Sequence, residues 1–206
     1  GGDELGGLCK YAWDVYTTAS AQSKISDTDG YLVYKQGDGD IFIKYIGSSK
    51  NIEIPAGVKT IRKSAFYGNE TIEEVVIPAG VVTIEADAFR GCTGLKTVRI
   101  ADGVVEFGTD IFNGCTSLTT VVLPNNLQKI SAGLFDGCSS LTEIALPSGI
   151  TEIGERAFKD TNLAQITLAD GITKISDSAF MGAKLVSITL SDSITQIGES
   201  AFEDCT

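Results

Sequence analysis

The chain contains no histidine and few basic residues. Its 206 residues include 16 Lys or Arg against 27 Asp or Glu, which gives a formal net charge of −11. The absence of histidine excludes Ser–His and Cys–His nucleophilic catalysis, and every zinc site that needs an imidazole ligand. The sequence also has no basic stripe that could bind a row of phosphates, which disfavours nucleic-acid binding.

Long hydrophobic runs are also missing. No stretch approaches the ~18 consecutive apolar residues that a membrane-spanning helix needs, and no basic-then-apolar signal segment opens the chain. Hydrophobic residues nevertheless make up 43% of the sequence, which is enough for a buried core. We therefore expect a soluble folded chain with no membrane insertion of this segment.

Phenylalanine recurs at a nearly constant interval, usually directly after alanine. Four intervals of 23 residues are followed by two of 22 residues. Two further apolar columns keep the same interval, one five residues before each phenylalanine and one five or six residues after it. A period of this length is typical of repeat proteins. The repeated phenylalanines are Phe66, Phe89, Phe112, Phe135, Phe158, Phe180 and Phe202.

Each repeat also carries two apolar residues separated by one position, as in Val121 and Leu123, and Pro124 follows this pair. Such alternation predicts a short strand that stops at the proline. A second short extended piece follows, and then a tight turn or single helical turn at the Ala-Phe step. One such unit cannot bury its apolar face alone, so stacked copies predict a solenoid. Short polar residues that can cap the turn precede several of these steps, namely Ser64, Asp87, Asp110, Ser178 and Ser200.

The combined pattern, Leu-x-x-Val-x-Ile-Pro-x-x-Val-x-x-Ile-x-x-x-Ala-Phe-x-Gly-Cys, resembles the BspA-like branch of the leucine-rich repeats. Residues 118–124 (Leu-Thr-Thr-Val-Val-Leu-Pro) and 141–147 (Leu-Thr-Glu-Ile-Ala-Leu-Pro) show its first half almost unmodified. The resemblance implies a leucine-rich-repeat solenoid of about seven repeats of 22–23 residues, mostly short parallel β-strands with turns and single helical turns. It also implies bacterial secretion or surface display, with some members acting as adhesins for host proteins.

Three segments are predicted along the chain. Residues 1–28 form either a leader or a short capping helix, since Leu8, Tyr11, Ala12 and Val15 fall at helical spacing. Residues 29–50 read as a hairpin that caps the first repeat. Residues 51–206 form the solenoid, whose last repeat we expect to be truncated because no capping signal follows it.

Four of the five cysteines occupy one column, three residues after a repeat phenylalanine. Stacked neighbours in such a column point the same way, which is a poor geometry for a disulfide. No Cys-x-x-Cys pair suggests zinc. We therefore predict buried free thiols that fill the core, while the redox state of Cys9, which lies outside the column, stays open. The column contains Cys92, Cys115, Cys138 and Cys205.

Three other features have a functional and a structural interpretation, and the structural one is favoured for each. Asn69-Glu70-Thr71 matches a glycosylation acceptor, but Asn69 occupies the cysteine column. The Asp-Gly segments at 27–30 and 38–40 could suggest calcium, although turn chemistry explains them and no metal site is predicted. A column of alternating charge predicts a structural ladder of exposed ion pairs, in the order Glu106, Lys129, Glu152 and Lys174.

The outward residues of the main strands form the candidate binding face. They are small or polar and nearly free of aromatic residues, unlike a cleft that stacks sugars. Val76 and Val122 could form a modest apolar patch around Arg99. The candidate residues are Val76, Arg99 and Val122 in one column, and Glu74, Thr97, Thr120 and Glu143 in the neighbouring one.

The sequence therefore predicts a non-enzymatic binding module without cofactors, because no column gathers acids, bases or nucleophiles. Its predicted partner is a protein, such as a host extracellular-matrix or cell-surface protein, and its predicted location is extracellular or on the cell surface. The alternative is a structural spacer or stalk within a larger surface protein.

Overall fold

The computed structural model describes residues 25–28 and 30–206. Within these residues the regular elements are short strands that recur once or twice in each repeat. They are β1 (Ile25–Thr28), β2 (Tyr31–Tyr34), β3 (Asp40–Tyr45), β4 (Asn51–Glu53), β5 (Val58–Ile61), β6 (Glu74–Ile77), β7 (Thr83–Ile84), β8 (Thr97–Ile100), β9 (Glu106–Phe107), β10 (Thr120–Val122), β11 (Lys129–Ile130), β12 (Glu152–Ile153), β13 (Gln165–Thr167), β14 (Lys174–Ile175), β15 (Ser187–Thr189) and β16 (Gln196–Ile197).

The first strands of consecutive repeats pair in parallel, except at the fifth repeat. Strands β4, β6, β8 and β10 form one sheet, and β13 and β15 form another. Alternation determines which side is buried: Val75 and Ile77 of β6 are fully buried, while Glu74 and Val76 are only partly so. Residues 142–148 of the fifth repeat are not in a strand, so the two sheets are separate.

The second strand of each repeat forms a second parallel layer. Strands β5, β7 and β9 extend a six-stranded sheet that begins with β1, β2 and β3, whereas β11, β12, β14 and β16 form a separate sheet. The isoleucines of this layer, such as Ile84 and Ile130, are fully buried except Ile197 of the last repeat. No pairing joins β9 to β11 in the part of the chain that the structure describes.

The Ala-Phe steps form hydrogen-bonded turns, and the described residues contain no helix. Of the two predicted alternatives, a tight turn and a single helical turn, the tight turn is therefore the one that forms. Each turn contains two residues with positive φ, such as Ser64 at 57° and Gly68 at 67°, and right-handed helical dihedrals cannot continue through them. Three backbone hydrogen bonds connect every pair of consecutive turns: the amides of Ser64, Phe66 and Gly68, for example, donate to the carbonyls of Ala86, Ala88 and Arg90.

The phenylalanines of the repeats stack into a continuous aromatic column through the core. Ring centroids of Phe66 and Phe89 lie 4.5 Å apart, and those of Phe112 and Phe135 lie 5.9 Å apart. All repeat phenylalanines except the partly buried Phe202 are at most 1% exposed. The predicted solenoid of about seven repeats is thus confirmed, and one apolar core runs along its length.

Strands β2 and β3 pair antiparallel, and β3 pairs in parallel with β5 of the first repeat. Phe42 of β3 stacks on Phe66 at 4.9 Å, which places it over one end of the aromatic column.

The boundaries of the three segments stay predictions. The helix proposed around Leu8, the thiol of Cys9 and Asp29 of the calcium candidate at 27–30 lie outside the described residues.

Candidate functional site

Six of the seven predicted face residues lie side by side on the sheet of β4, β6, β8 and β10. The parallel register places Glu74, Thr97 and Thr120 in one row. Val76, Arg99 and Val122 form the adjacent row on the same side. We call these six residues the strand face. The backbone that holds them is fixed, because the alternate residues of β6 and β8 are buried in the core.

Arg99 is the central charged group of the strand face. Its side chain is 55% exposed, and its Nε lies 3.6 Å from Oε1 of Glu74. An exposed pair at this distance contributes little to stability, so the guanidinium remains available to a partner. Val122 is 44% exposed next to it. The strand face thus combines one cation with an exposed apolar side chain.

Glu143 does not join the strand face in a common sheet. It is exposed, but the segment around it is not a strand and does not pair with β10. The alternating pattern of Ile144 and Leu146 predicts a strand here, yet both side chains are only partly buried. The sheet therefore ends at β10, and Glu143 lies beyond its edge.

A row of ion pairs beside the strand face was missed by the sequence analysis. Glu73 lies between two lysines of neighbouring repeats: its Oε1 is 2.6 Å from Nζ of Lys50, and its Oε2 is 2.7 Å from Nζ of Lys96. Hydrogen bonds from Lys50 and Lys96 lower the pKa of Glu73 to about 2. The signal that could have found this row is the sign alternation at positions 50, 73 and 96, one repeat apart.

We expect the Glu73 carboxylate to titrate near pH 2 in an NMR-monitored titration. Its pKa is lowered in the folded chain, so its contribution to stability is present above the ordinary pKa of 4.5 and is lost as the pH falls through about 2. Replacing both lysines, as Lys50→Met with Lys96→Met, should return the midpoint toward 4.5. Lys63→Met is the control, since Lys63 contacts Asp87 instead. An unchanged midpoint in the double variant would contradict this assignment.

The predicted ladder of alternating charges forms only in part. Glu152 pairs with Lys129 at 3.0 Å and with Lys174 at 3.1 Å, and hydrogen bonds from these two lysines lower its pKa against the opposing effect of burial. Glu106 instead accepts a hydrogen bond from Thr83 at 2.9 Å. Among the described residues no ion pair joins Glu106 to Lys129, since their strands do not pair.

The cysteine column consists of free thiols, as predicted for its four members. Cys92, Cys115 and Cys138 are fully buried, and Cys205 is partly buried. Each thiol donates to the phenylalanine carbonyl of the preceding repeat, for example Cys115 Sγ to Phe89 O at 3.2 Å. Burial raises the pKa of Cys115 and Cys138, so these thiols are protonated at neutral pH and unsuited to nucleophilic chemistry.

The glycosylation candidate Asn69 has a structural role. The Asn69 Oδ1 accepts hydrogen bonds from the amides of Thr71 and Ile72, at 2.9 Å and 3.0 Å, and so closes the turn after Phe66. No cluster of three potential metal ligands occurs in residues 30–206 or the described strand β1. The same residues contain no helix that is long and apolar enough to cross a membrane.

The parallel strands, hydrogen-bonded turns and stacked phenylalanines define a leucine-rich-repeat solenoid. A family model described as the BspA type leucine rich repeat region matches in six copies, over residues 40–158 and 128–206. The chain therefore belongs to the BspA-type leucine-rich-repeat family. A comparison with curated proteins gave no significant match.

Solved structures of bacterial leucine-rich-repeat proteins are similar to this chain. A leucine-rich-repeat protein of T. pallidum is 30% identical, with a TM-score of 0.81 over 87% of this chain and 88% of that one. A leucine rich cell surface protein of Faecalibacterium prausnitzii is 28% identical, with a TM-score of 0.58 over 80% of this chain and 54% of that one. A leucine-rich-repeat protein of Eubacterium ventriosum shares the fold at 24% identity, with a TM-score of 0.75 over 90% of this chain and 51% of that one.

Proposed function

We propose that the chain is a non-enzymatic binding module of a secreted or cell-surface protein, and that it recognises a protein partner through the strand face. The observation that carries this proposal is the register that aligns Val76, Arg99 and Val122 across β6, β8 and β10. Leucine-rich-repeat solenoids generally mediate protein interactions and are typically non-catalytic. Similarity to a bacterial cell-surface protein supports the location.

The chemistry of the strand face suits a protein partner that offers both an acidic and an apolar group. Arginine is a frequent anchor of binding energy, because its guanidinium can form several hydrogen bonds with a carboxylate. Thr97 and Thr120 add hydroxyl groups on a surface that is otherwise flat and rigid. Such a preorganised surface loses little conformational entropy on binding. A host extracellular-matrix or cell-surface protein is the partner class we propose.

Introducing a negative charge on the strand face tests this function. We expect Arg99→Glu and Val122→Asp each to weaken binding to immobilised fibronectin, laminin or collagen by at least about 10-fold, since both act at the centre of the contact. Arg90→Glu and Val82→Asp are the matched controls: Arg90 lies in a turn and Val82 precedes β7, so neither is on the strand face. Circular dichroism should show that all four variants fold. Equal binding by the face variants and the wild type would contradict the proposal.

A structural spacer is the second candidate function, and the continuous aromatic column favours it. The stack from Phe42 to Phe202, with three turn hydrogen bonds at every junction between repeats, makes the solenoid a stiff rod. A spacer needs this stiffness and no partner on the strand face. Absence of binding across the same panel by the folded wild-type chain would favour the spacer.

A further inference from the structure

Strand pairing divides the described chain into two groups of strands. Strands β1–β10 form one six-stranded and one four-stranded sheet, whereas β11–β16 form one four-stranded and one two-stranded sheet. Among the described residues, no strand of the first group pairs with a strand of the second group. The division falls at residues 123–128, which connect β10 to β11 inside the fourth repeat.

The division crosses the fourth repeat obliquely. In the second-strand layer it separates β9 from β11, and in the first-strand layer it separates β10 from residues 142–148, which are not in a strand. The fourth repeat therefore contributes its first strand to one group and its second strand to the other. Phe107 of β9 lies at the division and is only partly buried, whereas Ile84 and Ile130 of the same column are fully buried.

Few polar contacts join the two groups. The amides of Asp110, Phe112 and Gly114 donate to carbonyls of the next turn at 2.7 to 3.1 Å. The thiol of Cys138 donates to Phe112 O at 3.2 Å. Among residues 30–206, every ion pair lies within one group or within the other. The polar connection between the groups is therefore confined to the turns.

The junction between the second and third repeats, by contrast, is bonded in the turns and in both strand layers. Strand β6 pairs with β8 and β7 with β9, and Gly108 N donates to Ile84 O at 2.8 Å. The aromatic column also differs at the division. Phe112 and Phe135 lie 5.9 Å apart there, against 4.5 to 5.5 Å for the phenylalanines of other neighbouring repeats. The two groups are therefore connected less fully than the repeats within the first group.

The two groups also differ in charge and in strand length. Residues 30–122 contain 9 Lys or Arg against 11 Asp or Glu, whereas residues 129–206 contain 5 against 11. Glu155, Asp177 and Glu199 occupy the same position in three consecutive repeats, so like charges follow one another along the solenoid. An excess of one charge destabilises a folded structure through self-repulsion. No strand of β11–β16 is longer than three residues, and we expect the second group to be the less stable one.

We propose that the solenoid opens as two cooperative units divided at residues 123–128, and that the unit of β11–β16 opens first. Cooperative opening in proteins follows contiguous, internally bonded segments, and coupling along a repeat protein depends on the interface between neighbours. When the second unit opens, the first unit keeps all its strand pairs and ion pairs. The six residues of the strand face lie on β6, β8 and β10, so this opening leaves the strand face in place. The division does not depend on the function proposed for that face.

Native-state hydrogen exchange of the folded chain, followed by NMR, tests the order of opening. Gly108 N donates to Ile84 O and Gly154 N donates to Ile130 O, both at 2.8 Å, so the two amides are matched reporters of the first and second unit. We expect the protection factor of Gly154 to be at least about 10-fold lower than that of Gly108. Adding about 0.5 M NaCl should narrow this difference, because salt screens the repulsion in the second unit. Equal protection of the two amides would contradict the proposed order.

A matched pair of conservative variants tests the division itself. Ile84 of β7 and Ile153 of β12 are both fully buried, and replacing either with valine is mild enough for the chain to stay folded. We expect Ile153→Val to lower the protection factor of Gly154 by about 2- to 12-fold and to leave that of Gly108 unchanged. Ile84→Val should have the reverse effect. Equal changes at the two amides in either variant, including no change at both, would show a single cooperative unit and overturn the proposal.

Discussion

Replacing Phe112 with alanine is expected to lower the free energy of unfolding by about 3–5 kcal/mol. The ring is fully buried and stacks on both sides, with centroid distances of 5.5 Å to Phe89 and 5.9 Å to Phe135. Its removal loses the free energy gained by burying the ring and leaves a cavity. The hydrogen-bonded turns on both sides prevent this cavity from collapsing. Urea unfolding followed by circular dichroism measures the loss. Repeat stability depends on nearest-neighbour contacts, so the transition should also broaden.

The same substitution at Phe202 provides the matched control. Phe202 is partly buried and stacks on one ring only, Phe180, at 5.4 Å. We expect Phe202→Ala to cost much less than Phe112→Ala, because part of that side chain is already in contact with solvent. Equal losses at the two positions would show that the aromatic column does not hold the repeats together.

The buried thiols are expected to react with an aromatic disulfide reagent at least about 1,000-fold more slowly in the folded chain than in urea. Cys92, Cys115 and Cys138 are 0% exposed, and burial raises the pKa of Cys115 and Cys138, which suppresses the reactive thiolate. The buried thiols can therefore react only when the repeats open. The rate of their reaction then measures the free energy of that opening. Spectrophotometry of the released thiolate follows the time course.

Cys205 serves as the internal comparison for this measurement. It has the same hydrogen bond as the others, from its Sγ to Phe180 O at 3.1 Å, but it is only partly buried. We expect it to react first among the four. After unfolding without reductant, all five cysteines of the chain should titrate as thiols. A smaller number would show a disulfide, and fast reaction of all thiols in the folded chain would contradict their burial.

Most of the fold could be predicted because each apolar column repeats at nearly constant spacing. A phenylalanine or isoleucine that recurs once per repeat can be buried only if the repeats stack, so Phe89 and Ile153 identify core positions without any structural information. The alternation of Val98 and Ile100 likewise indicates which side of β8 faces the core. The binding face then follows by elimination, since the residues between these buried positions must point outward.

The interruptions of the sheets could not be predicted, because the sequence pattern continues through them. Ile144 and Leu146 keep the alternation of a strand, yet the backbone around them does not pair. Lys129 keeps the charge alternation with Glu106, yet their strands, β11 and β9, do not pair. Both interruptions of strand pairing depend on how two neighbouring repeats pack against each other. A pattern of residue types contains no information on that packing. The single signal was the phenylalanine in a column of isoleucines.

The turns, the buried columns and the strand layers of the repeat have different roles. The turns hold consecutive repeats by three backbone hydrogen bonds each, and the buried columns of phenylalanine and cysteine make the core continuous. The first-strand layer then presents Arg99 and its neighbours on a rigid support. The candidate binding face is therefore a consequence of the repeat.

The most direct test of the central claim, that the strand face binds the protein partner, is an NMR spectrum of selectively labelled valine methyl groups recorded with and without that partner. Val76 and Val122 report the strand face, whereas the exposed Val82 and Val105 lie outside it and serve as internal controls. The proposed function predicts that a bound matrix protein shifts the methyl signals of Val76 and Val122. Unchanged signals at both of these residues in a complex that has demonstrably formed would contradict it.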